Sequence, residues 1–244
     1  MTDLDPSWDD GVERVLVVMA HPDDVDFGGA GSAAVWTAKG IEVSYCIVTD
    51  GDAGGFDPAV PRSEIGGIRQ AEQTTAASHV GVDELVFLGY PDGRLESTLD
   101  LRRDISRVIR QVRPQRVVCQ SPERNMAVIY ASHPDHLAAG EATLCAVYPD
   151  ARNPFAFPEL AEQGFDAWTV SEVWMMASRG VADRFVDITD VFERKMKALL
   201  SHESQHTNPE HLEPLLRDWA TANAKLAGLP EGRLAEAYVR IATG

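Results

Sequence analysis

Cysteine is scarce and widely spaced, with three residues at 46, 119 and 145. The odd count and the spacing exclude a disulfide framework and a C-x-x-C metal or redox motif. Cys46 and Cys119 lie inside apolar runs and are expected as small core residues. Basic charge is also short: 22 Lys plus Arg stand against 38 Asp plus Glu, for a net charge of -16. A surface this negative repels phosphate backbones and anionic lipid, so neither nucleic acid nor a membrane surface is an expected partner. No apolar run reaches the roughly 18 residues of a membrane-spanning helix. The acidic start, MTDLDPSWDDG, lacks the apolar stretch of a secretory signal, so a cytoplasmic protein is expected. There is no internal repeat and no low-complexity tract.

What is present is ordinary globular composition, 44% hydrophobic and 25% charged over 244 residues. That length predicts a single domain over 1–244, with a core at 12–206 and a C-terminal helical segment at 207–244. Short β-branched runs alternate with longer amphipathic ones. Strands are expected at 12–20, 42–49, 84–88, 116–120 and 172–176, and helices at 28–39, 63–79, 100–112, 133–147, 190–202 and 210–227. Ser63 is the expected cap of the second helix. This order predicts an α/β fold, a Rossmann-like, doubly wound and mainly parallel sheet of five or more strands with extra C-terminal helices. The stretch 149–165 holds three prolines and three phenylalanines and reads as an excursion, either an aromatic wall for a ligand or an oligomer contact.

In such sheets ligands bind beyond the carboxyl ends of the strands. Directly after the first strand comes His21-Pro22-Asp23-Asp24-Val25-Asp26. After the fourth comes Ser132-His133-Pro134-Asp135-His136. Pro22 holds the first segment extended, so Asp23 and Asp24 point to different sides and can do different work. Proline favours the first helical position, so Pro134 makes His133 the expected N-cap of the next helix, with His136 three residues on. His21, one carboxylate of the first cluster and His136 together make a three-ligand set with a position left for water, the pattern of a catalytic rather than a structural zinc site. A spare carboxylate and a spare His remain for general base and acid work, which points to hydrolysis of an amide or ester.

The paired AHPDD and HPDH motifs, in this order, resemble the LmbE/PIG-L family of zinc-dependent N-deacetylases. Further shared segments are Ile47–Gly51 (IVTDG), Gly66–Glu72 (GGIRQAE), Leu88–Gly93 (LGYPDG) and His202–Gln205 (HESQ). The resemblance implies a hydrolase that removes the N-acetyl group from an N-acetylglucosaminyl-type small molecule. It implies His21, Asp24 and His136 as metal ligands, with Zn2+ as cofactor and Fe2+ as the alternative. It implies Asp23 as general base, His133 as general acid or oxyanion stabiliser, and Asp135 as a residue that orients a His. Arg69 and Asp92 would contact substrate. Two departures stand out: Val25 replaces an acid common in the family, with Asp26 following it, and a frequent Tyr position is Ala131 here, with Tyr130 one residue earlier.

Simpler readings stand beside these. Arg69 and Glu72, three apart, make an ordinary helix-surface ion pair. His202 and His206 are expected to cap a helix end. Gly29-x-Gly31-x-x-Ala34 matches a dinucleotide fingerprint and would suit an NAD-dependent oxidoreductase, although it starts nine residues after the strand ends. An amidase acting on thiol conjugates would use the same zinc chemistry. A homo-oligomer is compatible with the sequence.

Overall fold

The computed structural model describes residues 4, 6–126, 129, 132–177 and 181–244. Seven strands form one sheet: β1 (Arg14–Met19), β2 (Glu42–Thr49), β3 (Glu84–Tyr90), β4 (Arg116–Cys119), β5 (Glu172–Met176), β6 (Arg184–Asp187) and β7 (Ala235–Ala242). Their order is β3-β2-β1-β4-β5-β7-β6. The first five pair in parallel, and β7 runs antiparallel between β5 and β6. The chain turns from one half of the sheet to the other between β1 and β4, which lie side by side from Val15↔Arg116 to Val18↔Cys119. Both motif clusters therefore leave the sheet at the same crevice.

The residues of β1 explain its central place. Val15, Val17 and Met19 enter one core layer, while Leu16 and Val18 enter the other. A strand with two apolar faces has to be covered on both. The first layer is covered by α1 (Asp24–Gly28), α2 (Ala30–Ala38), α3 (Arg62–Val80) and α7 (Phe192–Leu200), the second by α4 (Leu99–Val112) and α5 (Pro134–Cys145). Cys46 and Cys119 are free thiols in the second layer. Two short or late elements, α6 (Pro158–Glu162) and α8 (Leu212–Leu226), complete the chain.

The α/β reading holds, with three differences. The helix expected to start at Ser63 begins earlier: Pro61 precedes α3, and Ser63 lies inside it. The C-terminal segment is not only helical, because it ends in β7. Neither β6, which is four residues long, nor β7, which is rich in small residues, carries a strong local strand signal, and both owe their form to pairing with β5 and each other. Finally, the 149–165 excursion is fastened at the end of the sheet away from the motif clusters. The Arg110 guanidinium donates to the carbonyls of Asp150, Ala151, Asn153 and Ala156, and the Trp168 indole donates to Pro114 O, just before β4.

Candidate active site

His21 lies two residues past the end of β1, and α1 begins at Asp24. Between them Asp23 adopts φ 91°, ψ -28°, a left-handed conformation that few residues other than glycine accept without cost. The turn this makes brings His21 and Asp24 together, so that the His21 N–H donates to Asp24 Oδ2 at 2.7 Å. From the neighbouring strand, the Gln120 side chain accepts the Ala20 N–H at 3.0 Å and ties the ends of β1 and β4. Gly140 of α5 lies so close to this point that a Cβ would sit 2.5 Å from Gln120 O. Only glycine lets the N-terminus of α5 reach the crevice.

His133 is the N-cap of α5, with Pro134 in the first turn, as the sequence predicts. Its Nδ1 accepts the Asp135 N–H at 3.2 Å. A neutral imidazole that accepts at Nδ1 carries its proton on Nε2, so His133 offers the site an N–H rather than a lone pair. Burial, and then the positive charge of His21, lower its pKa and favour this neutral form.

Three side chains converge beside it. His21 Nδ1 lies 3.2 Å from Asp24 Oδ2 and 3.2 Å from His136 Nε2, and His136 Nε2 lies 3.0 Å from Asp24 Oδ1. A tetrahedral ion with bonds of about 2.0–2.1 Å spaces its ligand atoms by roughly 3.3 Å, so the donor set and its spacing suit such a cation. Donor atoms of His21, His133 and His136 also lie within 4.8 Å of one another, as do those of His21, Asp92 and Asp135. Hydrogen bonding separates these sets. On the far side of the His21 ring, Nε2 lies 3.0 Å from Asp92 Oδ1 and 3.2 Å from Asp135 Oδ2. Those carboxylates already accept backbone N–H groups, Asp135 from Gly93 and Leu95, Asp92 from Ala53. The Nε2 proton therefore faces carboxylates, and in the neutral ring that binding a metal ion requires the lone pair of His21 is on Nδ1.

The charges follow this geometry. Burial disfavours the His21 cation, but the charge of Asp24, and the hydrogen bonds that the ring donates to Asp135, Asp24 and Asp92, push its pKa up to about 12. Burial alone would raise the Asp24 carboxyl, yet the imidazoles of His136 and His21 hold it well below the carboxylate range. Asp135 and Asp92 are likewise lowered against burial, chiefly by their bonds to His21. Asp23 differs: burial lifts it to about 7, against the pull of Arg69 and with a push from Asp24.

Arg69 is 3% exposed and does not form the surface pair with Glu72 that its spacing offered. It lies 3.1 Å from Asp23 Oδ2 and donates to the carbonyls of Pro22 and Gly51. Glu72 instead accepts the Ser204 N–H and Oγ–H, both at 2.8 Å. Asp92, expected at substrate hydroxyls, is buried behind His21. The His202 side chain caps no helix end: it is fully buried, 2.8 Å from Asp26, although its backbone precedes the 3-10 turn Glu203–Gln205. His206 does take the capping role, with its ring against Leu199 O. Tyr130 and Ala131 lie outside the described residues.

The region 16–147 matches the PIG-L family, GlcNAc-PI de-N-acetylase. The chain is 34% identical over 219 residues, 89% of its length, to the diacetylchitobiose deacetylase of Thermococcus kodakarensis, of which it covers 80%. The chain belongs to the PIG-L family. A second family relative, the probable N-acetyl-alpha-D-glucosaminyl L-malate deacetylase 2 of Bacillus subtilis, is 30% identical, with 79% of this chain and 83% of that one covered. Among solved structures, the N,N'-diacetylchitobiose deacetylase of Pyrococcus horikoshii superposes with a TM-score of 0.88 at 28% identity, covering 99% of this chain and 88% of that one. The 4-carboxy-2-hydroxymuconate hydratase GalB of Pseudomonas putida shares the fold alone, with a TM-score of 0.77 at 19% identity, covering 94% of this chain and 96% of that one.

In this PIG-L chain the dinucleotide fingerprint has a different use. Gly31 and Ser32 open α2, but their N–H groups donate to Glu236 at 3.0 and 2.7 Å. Ser32 Oγ and Lys195 Nζ, each at 2.6 Å, and the Tyr238 hydroxyl at 3.2 Å donate to it as well. A carboxylate from β7 fills the place where a pyrophosphate would sit, so the NAD reading is set aside. Nothing local to the fingerprint announces Glu236, which lies over 200 residues away in sequence. Gln73 is a further site residue that no motif marks. It accepts the Asp23 N–H, and its only sequence signal is its spacing, four residues after Arg69 on the same helix face.

Proposed function

We propose that the protein is a metal-dependent N-deacetylase that hydrolyses the acetamide of an N-acetylglucosaminyl-type sugar, releasing acetate and the free amine. The observation that carries this is the convergence of His21 Nδ1, Asp24 and His136 Nε2 at 3.0–3.2 Å, with Asp23 next in the chain but turned to another partner. PIG-L deacetylation is metal chemistry, and these three residues would hold the ion. A divalent cation there lowers the pKa of a coordinated water and polarises a carbonyl oxygen. A His-Asp-His set accepts Zn2+ or Fe2+, and we take Zn2+ as the working assignment.

The remaining work belongs to the protein. Asp23, lifted toward neutrality by burial, accepts a proton from the attacking water and returns one to the leaving nitrogen. Arg69, 3.1 Å from Asp23 Oδ2, fixes one of its oxygens. His133, held by the Asp135 N–H with its own proton on Nε2, donates to the oxygen that gains charge as the carbonyl becomes tetrahedral. Asp135 and Asp92 orient His21 from behind and hold its tautomer. That gives Asp92 a positioning role in place of a sugar contact.

The test is acetate release from N-acetylglucosamine, N,N'-diacetylchitobiose and the malate and inositol glycosides of N-acetylglucosamine, before and after chelation and with Zn2+ or Fe2+ restored. Metal-dependent release from at least one sugar is expected. No release from any of them by metal-loaded protein refutes the proposal.

A further inference from the structure

The strained turn at Asp23 is held by more than the residues that carry the chemistry. The peptide joining Pro22 to Asp23 has two polar atoms, and one face of α3 grips both. Arg69 donates to Pro22 O, and Gln73, one turn later, accepts the Asp23 N–H at 2.8 Å. The plane of this peptide sets the φ of Asp23, and so the direction of its carboxylate.

Gln73 is itself fixed. Its Nε2 donates to Asp26 Oδ2 at 2.9 Å, and His202 Nε2 stands 2.8 Å from the same oxygen. The orientation of the Gln73 amide is dictated by chemistry: the N–H of Asp23 needs an acceptor, and the carboxylate of Asp26 needs a donor. Asp26, His202 and Gln73 are all fully buried. Asp26 Oδ1 and His202 Nδ1 have no hydrogen-bond partner among the described residues. A buried ionisable pair with an unsatisfied atom on each member is a poor source of stability, and an apolar pair of similar volume would serve as well or better. What an apolar pair could not do is aim Gln73.

We propose that Gln73, Asp26 and His202 are positioning residues, a relay of hydrogen bonds by which the segment just after α7 holds the Asp23 backbone in its left-handed turn. This rests on the deacetylase reading, since Asp23 is the base it serves. The side-chain hydrogen bonds of the three run to the Asp23 N–H and to one another, not to His21, Asp24 or His136. Their loss is expected to appear in kcat, with KM and bound metal preserved. Substitutions of residues that orient a site cost roughly 10- to 100-fold in activity.

The experiment compares His202→Met, His202→Gln, Gln73→Met and the double variant Gln73→Met/His202→Met, each scored for kcat, KM, zinc content and Tm. Gln73→Met should lose about 10- to 100-fold in kcat with zinc and KM within about twofold. His202→Met should lose less, and His202→Gln, whose amide can still donate to Asp26, should recover most of that loss. Because His202 acts through Gln73, the double variant should be no slower than Gln73→Met alone, whereas independent structural damage would multiply. Unchanged kcat in Gln73→Met, multiplicative losses, or equal losses in His202→Met and His202→Gln would each overturn the relay. If His202→Met does not fold, Gln73→Met and His202→Gln still decide. Wild-type protein that releases no acetate refutes the deacetylase reading instead, so the two failures are distinguishable.

Discussion

Two places in this molecule bring carboxylates to a helix N-terminus beside the central strands, and they end in opposite states. At the start of α2, Glu236 faces donors: two backbone N–H groups, the Ser32 hydroxyl and the Lys195 ammonium, with the Tyr238 hydroxyl at 3.2 Å. Its lone pairs are spent. Where β1 and β4 end, His21 Nδ1, Asp24 and His136 Nε2 face one another, acceptor against acceptor, at 3.0–3.2 Å. Such an arrangement asks for a cation, a proton or a metal ion. The same fold thus builds one closed knot and one open site, and hydrogen-bond inventory tells them apart better than the glycine pattern does.

The comparison breaks most readily at the open site. His136→Ala should empty it of metal and reduce acetate release to background, while Asp23→Ala should keep the metal and lose roughly 10²- to 10⁴-fold in kcat. Elemental analysis alongside turnover checks both, and equal metal loss would erase the division of labour between Asp23 and Asp24. At the closed site, Glu236→Ala leaves Lys195 buried without its carboxylate. A loss of about 3–5 kcal/mol in denaturant unfolding is expected.

A smaller effect follows from the titration of Asp23. Burial lifts its pKa to about 7, and the base works only when ionised. The rate should therefore rise with pH through an acid limb at or below pH 7, because a bound cation pulls the carboxyl down in the same sense as Arg69. A kcat/KM profile tests this, and a limb well above pH 7 would remove Asp23 from the role. The smallest expected effect is none: NAD added to the wild-type protein should leave its Tm unchanged, and a concentration-dependent rise would reopen the helix-terminus reading.

The legible part of the site was local. Pro134 at the first turn of α5 put His133 at the cap. The extended segment expected after Pro22 is instead a turn, and it is the left-handed backbone of Asp23 that separates its carboxylate from Asp24. The illegible part was relational. Arg69 and Glu72 have a spacing that permits a pair, yet each found a stronger partner from another segment, Asp23 and Ser204. Asp92 reads as a turn residue open to a ligand, but its loop folds it behind His21. His202 and Asp26 are separated by 176 positions, and no periodicity links them.

The amino-acid sequence by itself determined the alternation of strands and helices, the doubly apolar central strand and the two metal-type motifs after β1 and β4. These depend on residues within one turn or one strand of each other, where stereochemistry and hydrophobic period act directly. Only the tertiary structure decided which acceptor atoms meet, which carboxylate closes the α2 terminus and which buried side chains hold the Asp23 turn. Those outcomes depend on chain segments far apart in sequence arriving at the same few ångströms, where the partner that satisfies a buried polar group is whichever the fold delivers.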